Sequence, residues 1–368
     1  MPYWVLVKSV LFIVGLAVLL AALLVVAEAL LLNYGECIIT INSEDKRKVM
    51  GGGTLLSSLM GVGIFVPSAC GGRGSCGLCK VKVLQGGGPL LPTEMPHLSP
   101  REVQDKVRVS CQVKVKSDIE IELPPEILSL REYTAVVEKL SDLNYDTKLV
   151  RLRLEAPPEI AMKAGQYIQL ETPPYGKTSE PVYRAYSGAS SVSEKKVIEL
   201  IIRRVPNGIC TTYVFEVLEE GDTVRINGPY GEFYLRESDR EIVFIAGGSG
   251  IAPVRAILFQ MAEQRNPRKA AFFYGANELR DLYLVDEMVE FEKIVPNFRY
   301  IPSVARPKPE DNWQGETGLV TNAADRHVSD ASSQEFYLCG PPAMIDAAIG
   351  MLKTKGLSDD RTFFDKFT

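Results

Sequence analysis

Residues 67–79 read PSACGGRGSCGLC, which places Cys70, Cys76 and Cys79 in a C-x5-C-x2-C pattern. A fourth cysteine, Cys111, follows in the short sequence SCQ at 110–112. Three thiolates on a glycine-rich loop, closed by a distant fourth, form a ligand set for one iron–sulfur cluster. The glycines permit sharp turns and bring backbone N–H groups toward the sulfurs. We therefore expect these four cysteines to bind a [2Fe–2S] cluster, and the chain to move single electrons.

Other cysteine sites fit this spacing less well. A zinc site usually pairs two C-x2-C clips or adds histidines, and only one such clip is present. A Rieske centre needs two histidine ligands, whereas His97 and His327 are far apart in the sequence. The tight loop argues against a disulfide framework. The loop is one residue longer than the plant-type pattern, and it resembles the loops of adrenodoxin-type ferredoxins and several bacterial flavoprotein reductases.

The first segment of the chain is apolar. Residues 10–27 carry no charged side chain, and a helix of that length spans roughly 27 Å, close to the thickness of a bilayer core. The sequence Ala27-Glu28-Ala29 resembles a signal-peptide cleavage site, which is the alternative interpretation. The apolar run, however, is longer than the usual signal-peptide core, and Leu30 to Leu32 continue it. We expect an uncleaved transmembrane helix over residues 5–32.

Length and charge limit the partners. The 368 residues predict two or three domains, and the formal net charge of −5 gives no indication of a nucleic-acid partner. Lys46, Arg47 and Lys48 follow the apolar segment, whereas only Lys8 precedes it. The positive-inside rule then favours a cytoplasmic C-terminal portion. We expect a single-pass protein of the bacterial cytoplasmic (inner) membrane, with its soluble domains facing the cytoplasm.

Three soluble modules follow the helix. Residues 35–126 contain strand-like stretches at 37–41 and 46–49, and a short helix at 54–60 that Thr54 can cap. Alternating valines predict further strands at 81–83 and at 107–115, so this module is expected to be a β-grasp ferredoxin domain that ends in a linker at Pro124-Pro125.

The other two modules have different patterns. Residues 131–238 hold short strands separated by Gly, Pro and Asp, which predict an antiparallel β-barrel that closes with a turn at 228–233. Residues 239–368 begin with the continuous apolar strand 242–246, which is typical of a buried parallel sheet. A glycine turn and a helix follow, so we expect an α/β nucleotide-binding domain.

The barrel module carries a flavin-type motif. In Arg184-Ala185-Tyr186-Ser187 the arginine suits a pyrophosphate, the tyrosine can cover an isoalloxazine ring, and the serine can bond to flavin N5. Thr211 and Thr212 open a helix whose N-terminal amides can hold the flavin pyrophosphate. Taken alone, each motif also fits an ordinary strand or an ordinary capped helix.

The last module carries a dinucleotide-type motif. The turn GGSGIAP at 247–253 follows the apolar strand and lets backbone amides approach a pyrophosphate. It does not meet the strict G-x-G-x-x-G pattern. Cys339 and Gly340 end another apolar strand, where a small thiol and a glycine can line a nicotinamide pocket. The alternative for Cys339 is a buried core residue.

In this order the motifs R-x-Y-S, G-x-x-T, G-G-x-G-x-A-P and C-G-P-P resemble the ferredoxin–NADP+ reductase superfamily. With the cluster domain and the leading helix, essentially the whole chain resembles the F-subunit family of Na+-translocating NADH:quinone reductases. The chain departs from the well-known members of the family in one respect. Its flavin module lacks a stretch near the G-x-x-S/T motif, and this shortening would affect contacts with partner subunits more than cofactor binding. The resemblance implies FAD and a [2Fe–2S] cluster as cofactors, NADH as substrate, and the other membrane subunits of a respiratory complex as partners.

The resemblance also implies residue roles. The cluster ligands would be Cys70, Cys76, Cys79 and Cys111. FAD would be held by Arg184, Tyr186, Ser187, Thr211 and Thr212, with Phe367 covering the flavin. NADH would meet Gly247, Gly248, Gly250, Cys339 and Gly340. Of these, Tyr186, Ser187 and Cys339 would lie at the site of hydride transfer.

The expected reaction is hydride transfer from NADH to FAD, single-electron transfer to the cluster, and onward transfer toward quinone, coupled to Na+ translocation. Glu278 follows the strand at 271–275. An enzyme that binds the 2′-phosphate of NADPH would favour a basic residue at this position, so the acidic residue favours NADH over NADPH. One alternative is a membrane-tethered, NADH-dependent reductase that supplies an oxygenase or another redox partner. Another is an anchoring or assembly role with a vestigial redox part.

Overall fold

The computed structural model describes residues 3–31 and 34–367, without the side chains at 5–6 and 24–31. The described residues form two compact units. The first unit ends at Ser129 and contains everything before it except Pro67–Gly71, and the second contains that segment and everything from Leu130 onward. The predicted boundaries at residues 32 and 368 lie outside the described residues.

Helix α1 covers Tyr3–Leu31. Its side chains from Val10 to Leu23 include a run of exposed apolar residues. Among the residues that the structure describes, no helix is both long and apolar enough to cross a membrane. The membrane span predicted over 5–32 is therefore not confirmed, and the side chain of Glu28 lies outside the described part of the chain.

The rest of the first unit is a five-stranded sheet with short helices. Its order is β2-β1-β5-β3-β4; β1 and β5 pair in parallel, and the other neighbours are antiparallel. The bounds are β1 Glu36–Ile41, β2 Asp45–Met50, α2 Leu55–Gly61, β3 Lys80–Gln85, α3 Pro100–Gln104, β4 Val107–Val109, β5 Ile119–Glu122 and α4 Pro125–Leu128, with a 3-10 turn at Met95–His97.

Alternating apolar residues build the core of this unit. Ile39 and Ile41 of β1 point inward and are fully buried together with Leu55 and Leu59 of α2. The hydroxyl of Thr54 accepts a hydrogen bond from the N–H of Ser57 at 3.1 Å, which satisfies a donor at the start of α2. The sheet and the helix therefore bury their apolar faces against each other.

One local prediction for this unit is wrong. The valine alternation at 107–115 predicts one strand, but β4 ends at Val109 and the chain turns, with the N–H of Gln112 bonded to the carbonyl of Val109 at 2.8 Å. The turn places Cys111 at the end of β4. Pro124 and Pro125, predicted to mark a linker, start the short helix α4, and the boundary between the two units follows at Ser129. Proline suits the first turn of a helix, whose N–H groups lack internal partners.

The first part of the second unit is an antiparallel, barrel-like sheet of six strands in the order β10-β7-β6-β11-β8-β9. A bridge between Gly188 and Leu200 links the residue after β9 to β10, so the sheet curls toward closure. The predicted turn at 228–233 is partly wrong, because β11 extends to Tyr230. The bounds are β6 Arg131–Asn144, β7 Thr147–Ala156, β8 Tyr167–Thr172, β9 Val182–Ser187, β10 Val197–Arg203, α5 Ile209–Glu216 and β11 Thr223–Tyr230.

The second part is a parallel sheet in the order β15-β14-β13-β12-β16-β17. The bounds are β12 Ile242–Gly247, α6 Ile251–Glu263, β13 Ala270–Ala276, α7 Val285–Ile294, β14 Phe298–Val304, β15 Glu316–Thr317, α8 Val320–His327, β16 Glu335–Gly340, α9 Pro342–Lys353 and β17 Thr362–Lys366, with 3-10 turns at Gly248–Gly250, Leu279–Asp281, Pro309–Asp311 and Asp359–Arg361. The chain runs outward from β12 through β13 to β15 and then returns to β16. This reversal makes the β12–β16 boundary the topological switch point, where open α/β sheets bind ligands.

A buried ion network joins the two sheets of this unit. Arg255 of α6 donates to the carbonyl of Ala189, to the carboxylate of Glu199 and to the carboxylate of Glu287, each at 2.7 Å. Glu199 also accepts from Arg151 at 2.8 Å. Burial opposes the ionisation of Glu199, but the hydrogen bonds from Arg255 and Arg151 hold its pKa below the usual range. The barrel strands and helix α6 are thus cross-linked by buried charges.

Candidate redox site

The cysteines at the ends of β3 and β4 lie together. Lys80 pairs with Val109, so Cys79 and Ser110 are opposite each other, and the N–H of Ser110 donates to the Cys79 carbonyl at 2.8 Å. A hydrogen bond between the thiols of Cys79 and Cys111 raises the pKa of Cys79, and burial raises it further. A metal centre would replace the protons on these thiols, since a coordinating thiol is deprotonated.

The loop that carries Cys76 is held in shape by close contacts. The ring nitrogen Nε2 of His97 lies 2.8 Å from the carbonyl of Gly74, to which it donates. Gly77 has a positive φ of 66°, and a Cβ there would lie 2.7 Å from the His97 ring. A side chain at this position would therefore be both strained and obstructed, which explains the glycine between Cys76 and Leu78.

The other two predicted ligands are Cys70 and Cys76. Cys70 is buried and belongs to Pro67–Gly71, while Cys76 is half-buried. Among the described residues, no three His, Cys, Asp or Glu side chains are grouped so that they could hold a metal ion. The donor chemistry fits an iron–sulfur centre, because the thiols of Cys79 and Cys111 are buried and in contact. The four-cysteine ligand set stays a prediction.

The flavin motif lies on β9, next to β8 in the barrel. Tyr186 pairs with Ile168 across the two strands, and burial raises the pKa of the Tyr186 phenol well above its usual range. Arg184 donates to the carbonyl of Tyr183 at 2.6 Å. A half-buried aromatic ring and a guanidinium two residues away suit the ring and the pyrophosphate of a flavin nucleotide.

Helix α5 carries the two threonines. The hydroxyl of Thr211 donates to the carbonyl of Val205 at 3.2 Å, and Lys177 donates to the Thr212 hydroxyl at 2.9 Å. A Cβ at Gly208, just before the helix, would lie 2.5 Å from the Thr211 hydroxyl. The open N-terminus and the nearby Lys177 ammonium together favour an anion at this end of α5. Lys177 is a residue that the sequence reasoning missed.

The dinucleotide turn lies at the switch point of the parallel sheet. Gly247 ends β12, and Gly248–Gly250 form the short turn that leads into α6. A Cβ at Gly250 would lie 2.2 Å from the carbonyl oxygen of Cys339, so only glycine lets this turn pack against the end of β16. Gly340 has a positive φ of 142°. The glycines of both strands thus open one crevice for a ligand backbone.

Asp365 joins the barrel motif to this crevice. It pairs with Cys339 across β16 and β17, and its carboxylate accepts a hydrogen bond from the Ser187 hydroxyl at 3.4 Å. Burial raises the pKa of Asp365 to about 6, although the Ser187 bond lowers it slightly. Burial and the nearby Asp365 charge also raise the pKa of Cys339. Ser187 and Cys339, predicted from separate motifs, therefore meet at a shared carboxylate.

The sequence reasoning assigned no role to Asp365. A signal was available, because an acid two residues before Phe367 interrupts an aromatic segment, Phe363-Phe364. The structure also places Phe367, whose N–H donates to the carbonyl of Gly340 at 3.0 Å. The end of the described chain is thereby fixed beside the switch point.

Comparison with known proteins agrees with this arrangement. Residues 39–116 match the 2Fe-2S iron-sulfur cluster binding domain, 134–234 the oxidoreductase FAD-binding domain, and 244–349 the oxidoreductase NAD-binding domain. The chain is 38% identical to the F subunit of the Na(+)-translocating NADH-quinone reductase of Neisseria gonorrhoeae, over 95% of this chain and 96% of that protein. The corresponding protein of Idiomarina loihiensis is 36% identical over 96% of both chains.

The chain belongs to this F-subunit family. As a family member it carries FAD and a [2Fe–2S] cluster and takes NADH. Among solved structures, the Amycolatopsis cytochrome P450 reductase GcoB is similar, with a TM-score of 0.72, 31% identity, and coverage of 90% of this chain and 99% of that one. A ferredoxin reductase in carbazole 1,9a-dioxygenase has a TM-score of 0.70 and 27% identity, with coverage of 90% of this chain and 98% of that one.

Proposed function

We propose that this chain is the electron-input subunit of a Na+-translocating NADH:quinone reductase. The observation that carries the proposal is the meeting of Ser187, Cys339 and Asp365, because it joins the flavin motif to the dinucleotide crevice. The 95% coverage of this chain by a family member supports the assignment to one complex. When bound, FAD takes a hydride and passes electrons on singly.

The protein's own residues would orient the reactants and exclude water. Tyr186 would cover the flavin ring, Ser187 would bond to its edge, and Cys339 would line the nicotinamide side. Asp365, next to both Ser187 and Cys339, would place negative charge where the nicotinamide becomes positive. No side chain needs to act as a proton shuttle, because hydride transfer depends on position and electrostatics.

The binding roles follow from the same geometry. The FAD nucleotide would be held by Arg184, Tyr186, Ser187, Thr211 and Thr212, with Lys177 as an added cation. The NADH pyrophosphate would lie against Gly247, Gly248 and Gly250, with Gly340 and Phe367 beside the nicotinamide. The cluster would be bound by Cys70, Cys76, Cys79 and Cys111. We accordingly propose a cluster domain over 35–126, an FAD domain over 131–238 and an NADH domain over 239–368.

The proposed membrane span is supported by the sequence and by the membership of the chain in the F-subunit family. An uncharged run at 10–27 is long enough for a bilayer core, so we propose a single span over 5–32. The soluble domains would face the cytoplasm of a bacterial inner membrane. The partners would be the other membrane subunits of the complex, which receive the electrons and deliver them to quinone.

The test starts with isolation of the chain from native membranes in mild detergent. Identification of the co-purified subunits is followed by an assay of NADH-driven quinone reduction with and without Na+. Co-purified membrane subunits and stimulation by Na+ support the proposal. In stopped flow, the flavin absorbance should bleach before the cluster signal changes, and the reverse order would contradict the proposed electron path.

A reductase for an oxygenase is the second candidate function. It is favoured by the similarity to two proteins whose names link them to oxygenases. One is the cytochrome P450 reductase GcoB, and the other is the ferredoxin reductase in carbazole 1,9a-dioxygenase. In this case the isolated chain would carry no co-purified membrane subunits, and Na+ would not change its rate. Transfer of electrons to a soluble oxygenase or ferredoxin would then replace quinone reduction.

A further inference from the structure

Ser110 is held tightly beside the predicted cluster ligands. Its side chain is fully buried, at 0% exposure. Its N–H donates to the Cys79 carbonyl at 2.8 Å, and its own carbonyl accepts from the N–H of Leu56 at 3.2 Å. Both backbone groups are therefore fixed, and the side chain has little freedom other than rotation of the hydroxyl.

The Ser110 hydroxyl has no hydrogen-bond acceptor among the described residues. Within the part of the chain that the structure describes, its oxygen completes no hydrogen bond. A buried hydroxyl without a partner destabilises the fold, so such groups are rare unless they serve a bound group. Cys79 lies opposite Ser110 across the paired ends of β3 and β4, and opposite residues of an antiparallel pair direct their side chains to the same face of the sheet.

A thiolate ligand is the acceptor that this hydroxyl lacks. An O–H···S bond to a ligand sulfur is stronger when the sulfur carries more negative charge. Reduction of a cluster adds one electron, part of which resides on the sulfurs, so the bond stabilises the reduced state more than the oxidised one. Hydrogen bonds to ligand sulfurs are one of the means by which proteins set cluster potentials.

We propose that the Ser110 hydroxyl donates to the Cys79 sulfur in the cluster-bound protein and raises the reduction potential of the cluster. This inference rests on the proposed function, because Cys79 is a ligand only if the cluster is bound as predicted. Ser110 acts through Cys79 and is a positioning residue. The neighbouring amide of Gln112 lies 3.7 Å from the Cys111 sulfur and gives the second ligand a comparable donor.

The test is Ser110→Ala in the full-length, cluster-loaded protein. The cluster midpoint potential is measured by EPR-monitored redox titration with mediators, at one pH and salt concentration. We expect the potential to fall by roughly 59 mV, which corresponds to a tenfold change in a one-electron equilibrium. Ser110→Thr keeps a hydroxyl and should retain most of the wild-type potential. Ser110→Gly also lacks the hydroxyl but packs differently from alanine, so it should show the same fall in potential as Ser110→Ala.

Thr172→Val is the matched control. Thr172 lies in the barrel, is equally buried, and its hydroxyl also completes no hydrogen bond in the described residues. This variant removes a buried hydroxyl without touching a predicted ligand, so the cluster potential should not change. An equal fall in Thr172→Val would mean that the effect is a general consequence of altered packing, and the inference would be wrong.

Stability separates a potential-setting role from a merely structural one. A structural hydroxyl would destabilise the protein when removed, whereas loss of an unpartnered hydroxyl should leave the unfolding midpoint of the cluster-free protein unchanged or raised. An unchanged potential in both Ser110→Ala and Ser110→Gly, with a normal EPR signal, would overturn the inference. Absence of a [2Fe–2S] EPR signal from the wild-type protein would instead overturn the proposed function.

Discussion

Asp365 carries a charge that the fold disfavours, which gives a quantitative test of the site. Its usual pKa is 3.8, and burial raises it to about 6. A folded pKa above the unfolded one means that the folded state holds its proton more tightly. The ionised carboxylate therefore destabilises the fold, fully above pH 6, decreasingly between pH 6 and pH 4, and not at all below about pH 4.

The size of the effect follows from the shift. Each pKa unit corresponds to about 1.4 kcal/mol, so a shift of about 2 units gives roughly 3 kcal/mol as an upper limit. The side chain of Asp365 is only half-buried, and solvent screening reduces the expected effect to about 1–2 kcal/mol. Asp365→Asn should therefore stabilise the second unit by that amount at pH 8.

The assay is urea unfolding of the protein at saturating FAD, with the rise of free-flavin fluorescence reporting loss of the second unit. The variant should gain stability at pH 8 and lose this advantage near pH 4. Asp346→Asn is the control, since Asp346 is exposed and pairs with Lys366 at 2.7 Å; its effect should stay below about 0.5 kcal/mol. No stabilisation by Asp365→Asn at pH 8, or a gain independent of pH, would refute the reasoning.

Three further substitutions probe separate parts of the site. Gly250→Ala would place a methyl group 2.2 Å from the Cys339 carbonyl, so NADH-driven flavin reduction should slow at least about tenfold while dithionite still reduces the cluster; an unchanged rate would contradict the close-packed turn. Cys76→Ser should abolish the [2Fe–2S] EPR signal but leave stopped-flow flavin reduction intact, and a retained native signal would remove Cys76 from the ligand set. Arg255→Met would leave Glu199 short of a partner, so urea unfolding should show a loss of about 3 kcal/mol, and a neutral result would mean that the network contributes no stability.

The regular elements with clear periodicity could be predicted from the sequence. The segments 37–41, 149–154 and 242–246 all lie in strands, because the alternating or continuous apolar residues match the faces that are buried. Strand β17 could not be predicted in the same way. Residues 362–366 mix aromatic and charged side chains, and they form a strand because parallel pairing with the buried β16 satisfies their backbone.

The candidate site residues also divide into those that the sequence predicted and those that it did not. Short motifs identified Ser187 and Cys339, since glycine turns and hydroxyl-bearing residues have recognisable spacing. Asp365 and Ser110 could not be predicted from motifs. Their roles depend on residues that are distant in sequence and that strand pairing brings opposite them. The roles of all the predicted site residues stay predictions until the variants above are measured.

The parallel pairing of β1 with β5 has a consequence for synthesis of the protein. Ile39 pairs with Ile119, and the N–H of Ile38 donates to Asp118 at a sequence separation of 80. At about 5–20 residues per second, a ribosome needs roughly 4–16 s to make the chain between these strands. A lone β1–β2 hairpin is only marginally stable in that interval. The sheet that carries Cys79 and Cys111 can therefore close only after β5 has emerged, so a cell would deliver iron and sulfide to this unit late in translation or after it.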